Sequence, residues 1–233
     1  MNEGLIAGIA HCEETKEDEP PKEGTNDGEN DLNNLPPDFA LLGSSLSDPR
    51  TLDKALRGPD AKRWQDALDY EISQLEKLQT WNVEDLPPGH TAIPCSEVLK
   101  VKQGPDGEIQ SYRVRIVAGG RRQVEGINYT ETFSAAAKMP TVRVVLANAA
   151  HQDWEIDHVD VKSTYLNAPL KETIYMRPPR GVLKPGQDGK VLRLTKGLYG
   201  LKQAGRGWYL EMSRVFLEEL GFVKSAVDHS VFY

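Results

Sequence analysis

The sequence lacks most of the features that mark extracellular and membrane proteins. It has two cysteines in 233 residues, Cys12 and Cys95, and their separation fits neither a disulfide framework nor a metal-binding motif. No apolar run reaches the roughly 18 residues of a membrane span, and the short apolar stretch 5–10 has no basic residues before it, as a signal peptide would. We therefore expect an intracellular protein, cytoplasmic or nuclear, that does not enter a membrane.

The signatures of several common enzyme classes are missing as well. The five histidines show no metal-ligand spacing, and we expect all of them to be structural or exposed. No Ser/His/Asp or Cys/His motif with a recognisable local pattern occurs. The glycines that follow Lys196 have neither the spacing of a phosphate-binding NTPase loop nor that of a dinucleotide-binding fold.

The net charge of −7 is unevenly distributed along the chain. Residues 1–50 contain 12 acidic and 3 basic residues, whereas residues 51–233 contain 23 acidic and 25 basic ones. Within the acidic part, residues 13–37 are rich in proline and glycine and nearly free of large apolar side chains, so they cannot bury enough surface to offset chain entropy. We predict a disordered acidic tail over 1–50, a linker over 51–60 and a folded domain over 61–233.

The folded domain mixes helical and strand patterns without a strict β-α-β alternation, which predicts an α+β fold. A helical stripe runs from Trp64 to Leu78, and two strands, 97–102 and 109–118, flank a turn and form a predicted hairpin. Pro140 begins a further helix, and the last helix runs from about Gly205 to Leu220, with Leu220 on its buried face. We predict further strands at 156–161, 174–176, 191–194 and 231–233.

Two side chains near the centre of the chain are candidates for chemistry. Asp160 lies between Val159 and Val161 on a predicted strand, where an unpaired carboxylate is costly to bury. A divalent metal such as magnesium would remove that cost. On spacing alone, an Asp that caps a turn or pairs with Lys162 is the simpler interpretation. Tyr165, five residues further on, is either close to whatever Asp160 binds or an ordinary core aromatic.

The predicted hairpin carries a cluster of basic residues. Arg113 and Arg115 share one face of its second strand, and guanidinium groups suit phosphate oxygens. Six bases lie on the hairpin and just after it: Lys100, Lys102, Arg113, Arg115, Arg121 and Arg122. The cluster is either a phosphate-binding surface or a solvated strand face. A glycine-rich segment, 197–205, then opens the last helix, and the amides of a helix start can meet a phosphate.

Taken in order, these segments resemble the reverse transcriptase domain of copia-type LTR retrotransposon polyproteins. The resemblance extends from Trp64 to Tyr233 and rests on an ordered set of short matches. They are Trp64–Ala67 with Glu71, Trp81–Val83, Arg113–Gly120, Gln123 with Gly126–Tyr129 and Glu131–Phe133, Asp160–Lys162, Ile174–Met176 with Pro178 and Pro179, Leu198–Ala204, Trp208 with Tyr209, and Gly221 with Phe222 and Asp228.

The resemblance implies the fingers and part of the palm of a right-hand polymerase. It also implies RNA-directed DNA polymerase activity, with an RNA template, a DNA primer and deoxynucleoside triphosphates (dNTPs) as partners. By the resemblance, Asp160 is the first of three catalytic carboxylates that hold two magnesium ions. Tyr165 matches the residue that stacks under the incoming sugar and excludes a 2′-hydroxyl.

The resemblance assigns the other pocket residues in the same way. Arg115 is the better match for the base that grips the triphosphate, and Arg113 is the second. Tyr199 and Gly200 match the motif that lines the nucleotide pocket and the template strand.

The family's Tyr-x-Asp-Asp motif does not occur in the 233 residues, which contain no Asp-Asp pair. We therefore expect a truncated domain that holds one of three carboxylates and has no polymerase activity of its own. An alternative function, supported by the basic hairpin, is that of a non-catalytic nucleic-acid-binding or assembly protein derived from a retroelement. A translated genomic remnant without function is a third.

Overall fold

The computed structural model describes residues 8–9 and 48–233. The predicted acidic tail therefore lies almost wholly outside the described residues. Its one described element is a two-residue strand, β1 (Gly8–Ile9), which pairs antiparallel with the last strand of the chain, β8 (Val231–Phe232). None of the helices in the described ranges is both long and apolar enough to cross a membrane.

A short helix, α1 (Leu52–Arg57), occupies most of the segment predicted to be a linker. The Thr51 hydroxyl caps it by accepting a hydrogen bond from the Lys54 N–H at 3.3 Å. Leu52 and Ala55 are buried in the hydrophobic core. These two apolar side chains, one turn apart, attach the segment to the folded body.

Helix α2 (Ala61–Lys77) confirms the predicted helical stripe. Its buried residues are Trp64, Leu68, Ile72 and Leu75, which recur at the spacing of one helix face. This face packs against a long antiparallel hairpin, and the Trp64 ring meets the Tyr112 ring edge to face at 4.8 Å between centroids. The packing of helix on hairpin forms one half of the core.

The hairpin consists of β4 (Cys95–Gln103) and β5 (Ile109–Ala118), as predicted. Lys100 lies opposite Arg113, and Val98 lies opposite Arg115. Because side chains alternate between the two faces of a strand, these four residues share one face with Lys102. The other face carries the side chains that pack on α2, among them Leu99, Tyr112, Val114 and Ile116.

A four-stranded sheet forms the second half of the core, in the order β2-β7-β6-β3. Its strands are β2 (Trp81–Glu84), β3 (Ala92–Ile93), β6 (Pro169–Met176) and β7 (Val191–Lys196). The pair β3 and β6 is parallel, and the other pairs are antiparallel. The predicted strands 174–176 and 191–194 are confirmed, whereas β2 and β3 were not predicted because each is too short for a clear alternation.

Two helices complete the described fold, α3 (Met139–His151) and α4 (Ala204–Arg214). Both were predicted. Helix α4 continues as a π-helical turn, Val215–Glu219, and Gly221 then takes a positive φ of 74°. The expected burial of Leu220 is wrong: its side chain is 59% exposed, and α4 buries Tyr209 and Ser213 instead. The described part is thus a mixed fold of helices and strands.

The predicted strand 156–161 is absent. The backbone from Trp154 to Val161 is irregular, and Ile156 and Val159 are 60% and 79% exposed. A strand needs backbone partners in a neighbouring strand, and within the described ranges no strand pairs with this segment. Val159 and Val161 flank Asp160 as strand residues of one face would, but the segment has no partner among the described strands, and Asp160 lies exposed on it.

Candidate nucleotide and phosphate site

The loop between β7 and α4 joins three parts of the fold. The Gly197 N–H donates to the Ala168 carbonyl at 3.0 Å, next to the 3₁₀-helix Thr164–Asn167. The Tyr199 carbonyl accepts from the Ala118 N–H at 2.8 Å, at the end of β5. The loop therefore fixes β5 and the 3₁₀-helix relative to one another.

Glycine is required at Gly200 because the loop approaches β5 closely. Gly200 has a φ of 87°, and a Cβ atom there would lie 2.2 Å from the Ala118 carbonyl oxygen and 2.6 Å from Cγ1 of Val117. L residues rarely adopt this φ, and no heavy atom fits at these distances. The glycine predicted to line a nucleotide pocket thus has a structural role that is visible in its own contacts.

Three of the predicted site residues come together beside this loop. The Tyr165 and Tyr199 rings pack edge to face, with centroids 4.9 Å apart. The Arg115 guanidinium carbon lies 5.2 Å from the centroid of the Tyr199 ring, in cation–π geometry. We call Arg115, Tyr199 and Tyr165 the aromatic–arginine cluster. It combines residues that are far apart in the sequence but that the resemblance places in one pocket.

Arg115 also belongs to a cleft on the hairpin. This basic cleft has a volume of about 130 Å³ and is lined by Val98, Lys100, Lys102, Arg113 and Arg115. Arg113 is exposed and forms no ion pair with the described residues. A concave surface with four cations and no acid among its lining residues favours phosphate groups. Arg113 is therefore joined to the cluster through the cleft wall that it shares with Arg115.

Glu71 of α2 is a site residue to which sequence reasoning gave no role. Its carboxylate accepts a hydrogen bond from the Ile116 N–H at 3.3 Å, on the edge of β5 that faces away from β4. Burial raises the pKa of the Glu71 carboxyl, while the Ile116 N–H and the charge of Arg115 act in the opposite direction. Glu71 lies seven residues after Trp64, on the buried face of α2, and an acid at that position is the signal that could have identified it.

A buried polar network supports the loop from the side of residues 121–133. Gln123, Asn128 and Gln203 are 5%, 8% and 5% exposed. The Gln123 side-chain amide donates to the Gln203 side chain at 3.0 Å and accepts from the Lys202 N–H at 2.8 Å. The Gln203 amide donates to the Asn128 carbonyl at 2.8 Å. Satisfied buried amides of this kind hold their segments in one arrangement.

Asp160 is not part of this assembly. It is exposed, and its carboxylate makes no hydrogen bond or ion pair with the residues that the structure describes. In the same ranges, no group of three or more His, Cys, Asp or Glu side chains is arranged to hold a metal ion. The side chains described here thus do not form a magnesium site, and Asp160 supplies a single carboxylate.

Comparisons with known proteins identify the family of the chain. The sequence pattern of the family described as "Reverse transcriptase (RNA-dependent DNA polymerase)" matches residues 78–233, and the chain belongs to this family. It is 38% identical over 195 residues to the Retrovirus-related Pol polyprotein from transposon RE1 of Arabidopsis thaliana. It is 34% identical over 193 residues to the corresponding polyprotein from transposon TNT 1-94 of Nicotiana tabacum.

These alignments cover 83% of the chain but only 13% and 14% of the two polyproteins. A more distant relative is the Transposon Ty1-DR4 Gag-Pol polyprotein of Saccharomyces cerevisiae, 28% identical over 170 residues, which are 70% of the chain and 10% of that protein. No solved structure matches the chain. The resemblance to copia-type retrotransposon reverse transcriptases is therefore confirmed, and the chain represents a small part of such polyproteins.

Proposed function

We propose that this chain provides the dNTP-binding part of an RNA-directed DNA polymerase with right-hand fingers and palm. The observation that supports the proposal is the contact of Arg115, Tyr199 and Tyr165 in one cluster beside a basic cleft. The family membership gives the reaction class, namely nucleotidyl transfer templated by RNA.

In this proposal, the hairpin binds the triphosphate. The guanidinium of Arg115 forms charge-assisted hydrogen bonds to phosphate oxygens, and Arg113, on the same strand face, adds a second cation. The Tyr199 ring under the Arg115 guanidinium limits its rotation, so less side-chain entropy is lost when the phosphate binds.

The aromatic rings form the sugar side of the pocket. The Tyr165 and Tyr199 rings pack edge to face, and in this proposal a face of the Tyr165 ring stacks under the sugar of the incoming nucleotide. Gly200 lets the loop approach β5 closely and thereby sets the distance between Tyr199 and Arg115. A larger sugar, with a 2′-hydroxyl, would meet the Tyr165 ring.

The family implies a divalent metal, and we propose Asp160 as a ligand of it. The described residues supply one carboxylate and do not fit a complete two-metal site, so we derive no catalytic step from the metal. RNA template and DNA primer are the proposed partners, in keeping with the family to which the chain belongs.

The test is binding of a fluorescent dNTP to the full 233-residue chain, measured by anisotropy. A charge-assisted hydrogen bond contributes about 1.5–3 kcal/mol, so Arg115→Gln is expected to weaken binding at least about tenfold. Arg115→Lys keeps the charge but loses the planar fork over Tyr199, and we expect it to recover only part of the affinity. Arg143→Gln is the matched control, because Arg143 is an exposed arginine on α3 that belongs to neither the aromatic–arginine cluster nor the basic cleft. Equal affinity for the wild type and Arg115→Gln would contradict the proposal.

A second proposed function is non-catalytic nucleic-acid binding, which the four cations of the basic cleft favour. It predicts oligonucleotide binding with a steep salt dependence and no specific dNTP affinity. Two results together would favour this function over the first. The Arg113→Gln variant would bind an oligonucleotide more weakly than the wild type, and dNTP binding to the wild type would be too weak to saturate.

A further inference from the structure

Glu71 is an acid on the core-facing side of helix α2, and neither the family comparison nor the proposed pocket gives it a role. It lies one turn from Leu68 and one turn from Leu75, whose side chains are 0% and 1% exposed. A carboxylate between two buried leucines loses much of its hydration, which disfavours its charged form unless a partner compensates. The partners of Glu71 lie on β5.

The first partner is the peptide group that joins Arg115 to Ile116. The Glu71 carboxylate accepts a hydrogen bond from the Ile116 N–H at 3.3 Å, on the edge of β5 that is not paired with β4. The N–H, the carbonyl and the two flanking Cα atoms of a peptide group lie close to one plane. A contact that fixes the Ile116 N–H therefore also orients the Arg115 Cα atom, from which the arginine side chain extends.

A second hydrogen bond holds the same edge of β5 two residues further on. The Ala118 N–H donates to the Tyr199 carbonyl at 2.8 Å. Alternate N–H groups of an antiparallel strand point to the same edge, so Glu71 and the Tyr199 loop take successive donors of that edge. Arg115 comes directly before the first of these contacts, and its guanidinium lies over the Tyr199 ring beside the second. The two contacts together set the distance that the Arg115 side chain spans.

The charge of Glu71 attracts Arg115 without neutralising it. Burial raises the pKa of the Glu71 carboxyl, whereas the Ile116 N–H and the positive charge of Arg115 lower it. The Arg115 guanidinium forms no ion pair with any acidic residue that the structure describes, Glu71 included. The attraction therefore restrains the arginine side chain, and its N–H donors remain available for phosphate oxygens.

We propose that Glu71 is a positioning residue that holds Arg115 over the Tyr199 ring in the orientation that binds the triphosphate. The inference rests on the proposed function for the use of Arg115, and it adds an acid on α2 that acts through Arg115. The hydrogen bond to the Ile116 N–H is the contact through which Glu71 acts. A side chain that is held in place before the nucleotide arrives loses less rotational freedom on binding.

The first measurement is the ¹H–¹⁵N NMR signal of the Arg115 Nε–Hε group in the full 233-residue chain without ligand. The Tyr199 ring current displaces this signal, and its absence in Arg115→Gln identifies it. Glu71→Leu removes the acceptor, and Glu71→Asp keeps the charge on a side chain one methylene shorter, so in both the signal should move towards that of a free arginine. Glu71→Gln keeps an acceptor oxygen and should leave the signal in place.

The second measurement is the affinity for a fluorescent dNTP, determined by anisotropy. The cost of ordering one flexible side chain on binding corresponds to roughly three- to tenfold in affinity, and Glu71→Leu and Glu71→Asp should bind more weakly by that factor. Glu71→Gln should stay within about twofold of the wild type. Glu76→Leu is the matched control, because Glu76 is an exposed acid on the same helix, and it should match the wild type in both measurements.

A double-mutant cycle separates positioning from a general loss of structure. Because Glu71 acts through Arg115, Glu71→Leu should cause no further loss of dNTP affinity in an Arg115→Gln background. A purely structural role would lower the affinity again by the same factor. Urea unfolding curves of the single variants measure any change in stability separately. If Glu71→Leu does not fold, Glu71→Asp takes its place in the cycle.

Three results would overturn the inference. The first is an Arg115 signal that keeps its wild-type position in Glu71→Leu and Glu71→Asp. The second is a double variant in which the two losses of affinity multiply. The third is a Glu71→Gln variant that binds dNTP as weakly as Glu71→Asp. The proposed function fails on a different result, an unchanged dNTP affinity in Arg115→Gln, and the NMR signal then still decides whether Glu71 holds Arg115.

Discussion

Replacement of Gly200 by alanine should destabilise the fold and remove nucleotide binding together. An alanine there must adopt a φ near 87°, which costs roughly 1–2 kcal/mol. Its Cβ would also lie 2.2 Å from the Ala118 carbonyl oxygen, and relief of such overpacking costs about 1–3 kcal/mol. We therefore expect the free energy of unfolding to fall by about 2–5 kcal/mol.

Two other glycines separate the contributions. Gly189 has a φ of 78°, and no heavy atom lies within 4 Å of the position that a Cβ atom would take there, so Gly189→Ala measures the backbone strain alone. Gly207 lies in α4, and its Cβ would be 3.6 Å from that of Ala168, an ordinary contact. Gly207→Ala is expected to stabilise the chain by up to about 1 kcal/mol, because alanine favours a helix interior.

The assay is urea unfolding followed by tryptophan fluorescence, with dNTP affinity measured on the same preparations. The expected order of stability is Gly207→Ala, wild type, Gly189→Ala and then Gly200→Ala. Only Gly200→Ala should lose dNTP affinity, because only there is the hydrogen bond from Ala118 to Tyr199 displaced. A Gly200→Ala variant no less stable than Gly189→Ala would refute the close approach of the loop to β5.

Three further predictions concern stability and reactivity. Burial tends to raise the pKa of the Asp228 carboxyl, but hydrogen bonds from Ser230, Thr141 and the Lys138 N–H outweigh it and lower the pKa from 3.8 to about 2. This carboxylate should therefore contribute about 2 kcal/mol above the unfolded pKa, a contribution lost as the pH falls from 3.8 towards 2. In urea titrations, Asp228→Asn should be less stable than the wild type at neutral pH and approach it at low pH, and a gap that does not change with pH would contradict this. Trp64→Ala should lower the free energy of unfolding by about 3–5 kcal/mol, since Trp64 is 3% exposed, and calorimetry showing no change in melting temperature would oppose it. Burial, with a smaller effect of Glu97, raises the pKa of the Cys95 thiol to about 12, so alkylation of Cys95 followed by peptide mapping should be slow until urea unfolds the chain.

The sequence predicted the elements whose patterns are local. The α2 stripe from Trp64 to Leu75 and the hairpin with its basic face depend on residues a few positions apart, and both are confirmed. The meeting of Arg115, Tyr165 and Tyr199 was predictable only through the family resemblance, because it joins three distant segments and no periodicity encodes such a contact.

The predictions that were wrong or missing concern elements that depend on contacts with distant parts of the chain. Val159 and Val161 flank Asp160 as alternating strand residues do, but pairing depends on a neighbour that local sequence does not specify. Helix α1 was missed because Leu52 and Ala55 supply only two buried positions. The cleft lined by Ile93, Pro94, Arg122 and Arg177 was missed because backbone hydrogen bonds bring its two sides together. The Arg177 N–H donates to the Ile93 carbonyl and the Gly119 N–H donates to the Pro94 carbonyl, and a sequence pattern does not reveal such backbone contacts.

Different contacts hold the proposed nucleotide pocket and the segment that carries Asp160. Two backbone hydrogen bonds fix the aromatic–arginine cluster, one from the Ala118 N–H to the Tyr199 carbonyl and one from the Gly197 N–H to the Ala168 carbonyl. Neither involves the segment 154–161. With magnesium chelated, Asp160→Asn should therefore bind dNTP within about twofold of the wild type, a difference of roughly 0.4 kcal/mol. Arg115→Gln should be weaker by at least about tenfold under the same conditions. If Asp160→Asn lowered dNTP affinity as much as Arg115→Gln without magnesium, Asp160 would have to contact the pocket directly, and the separation inferred from the structure would be wrong.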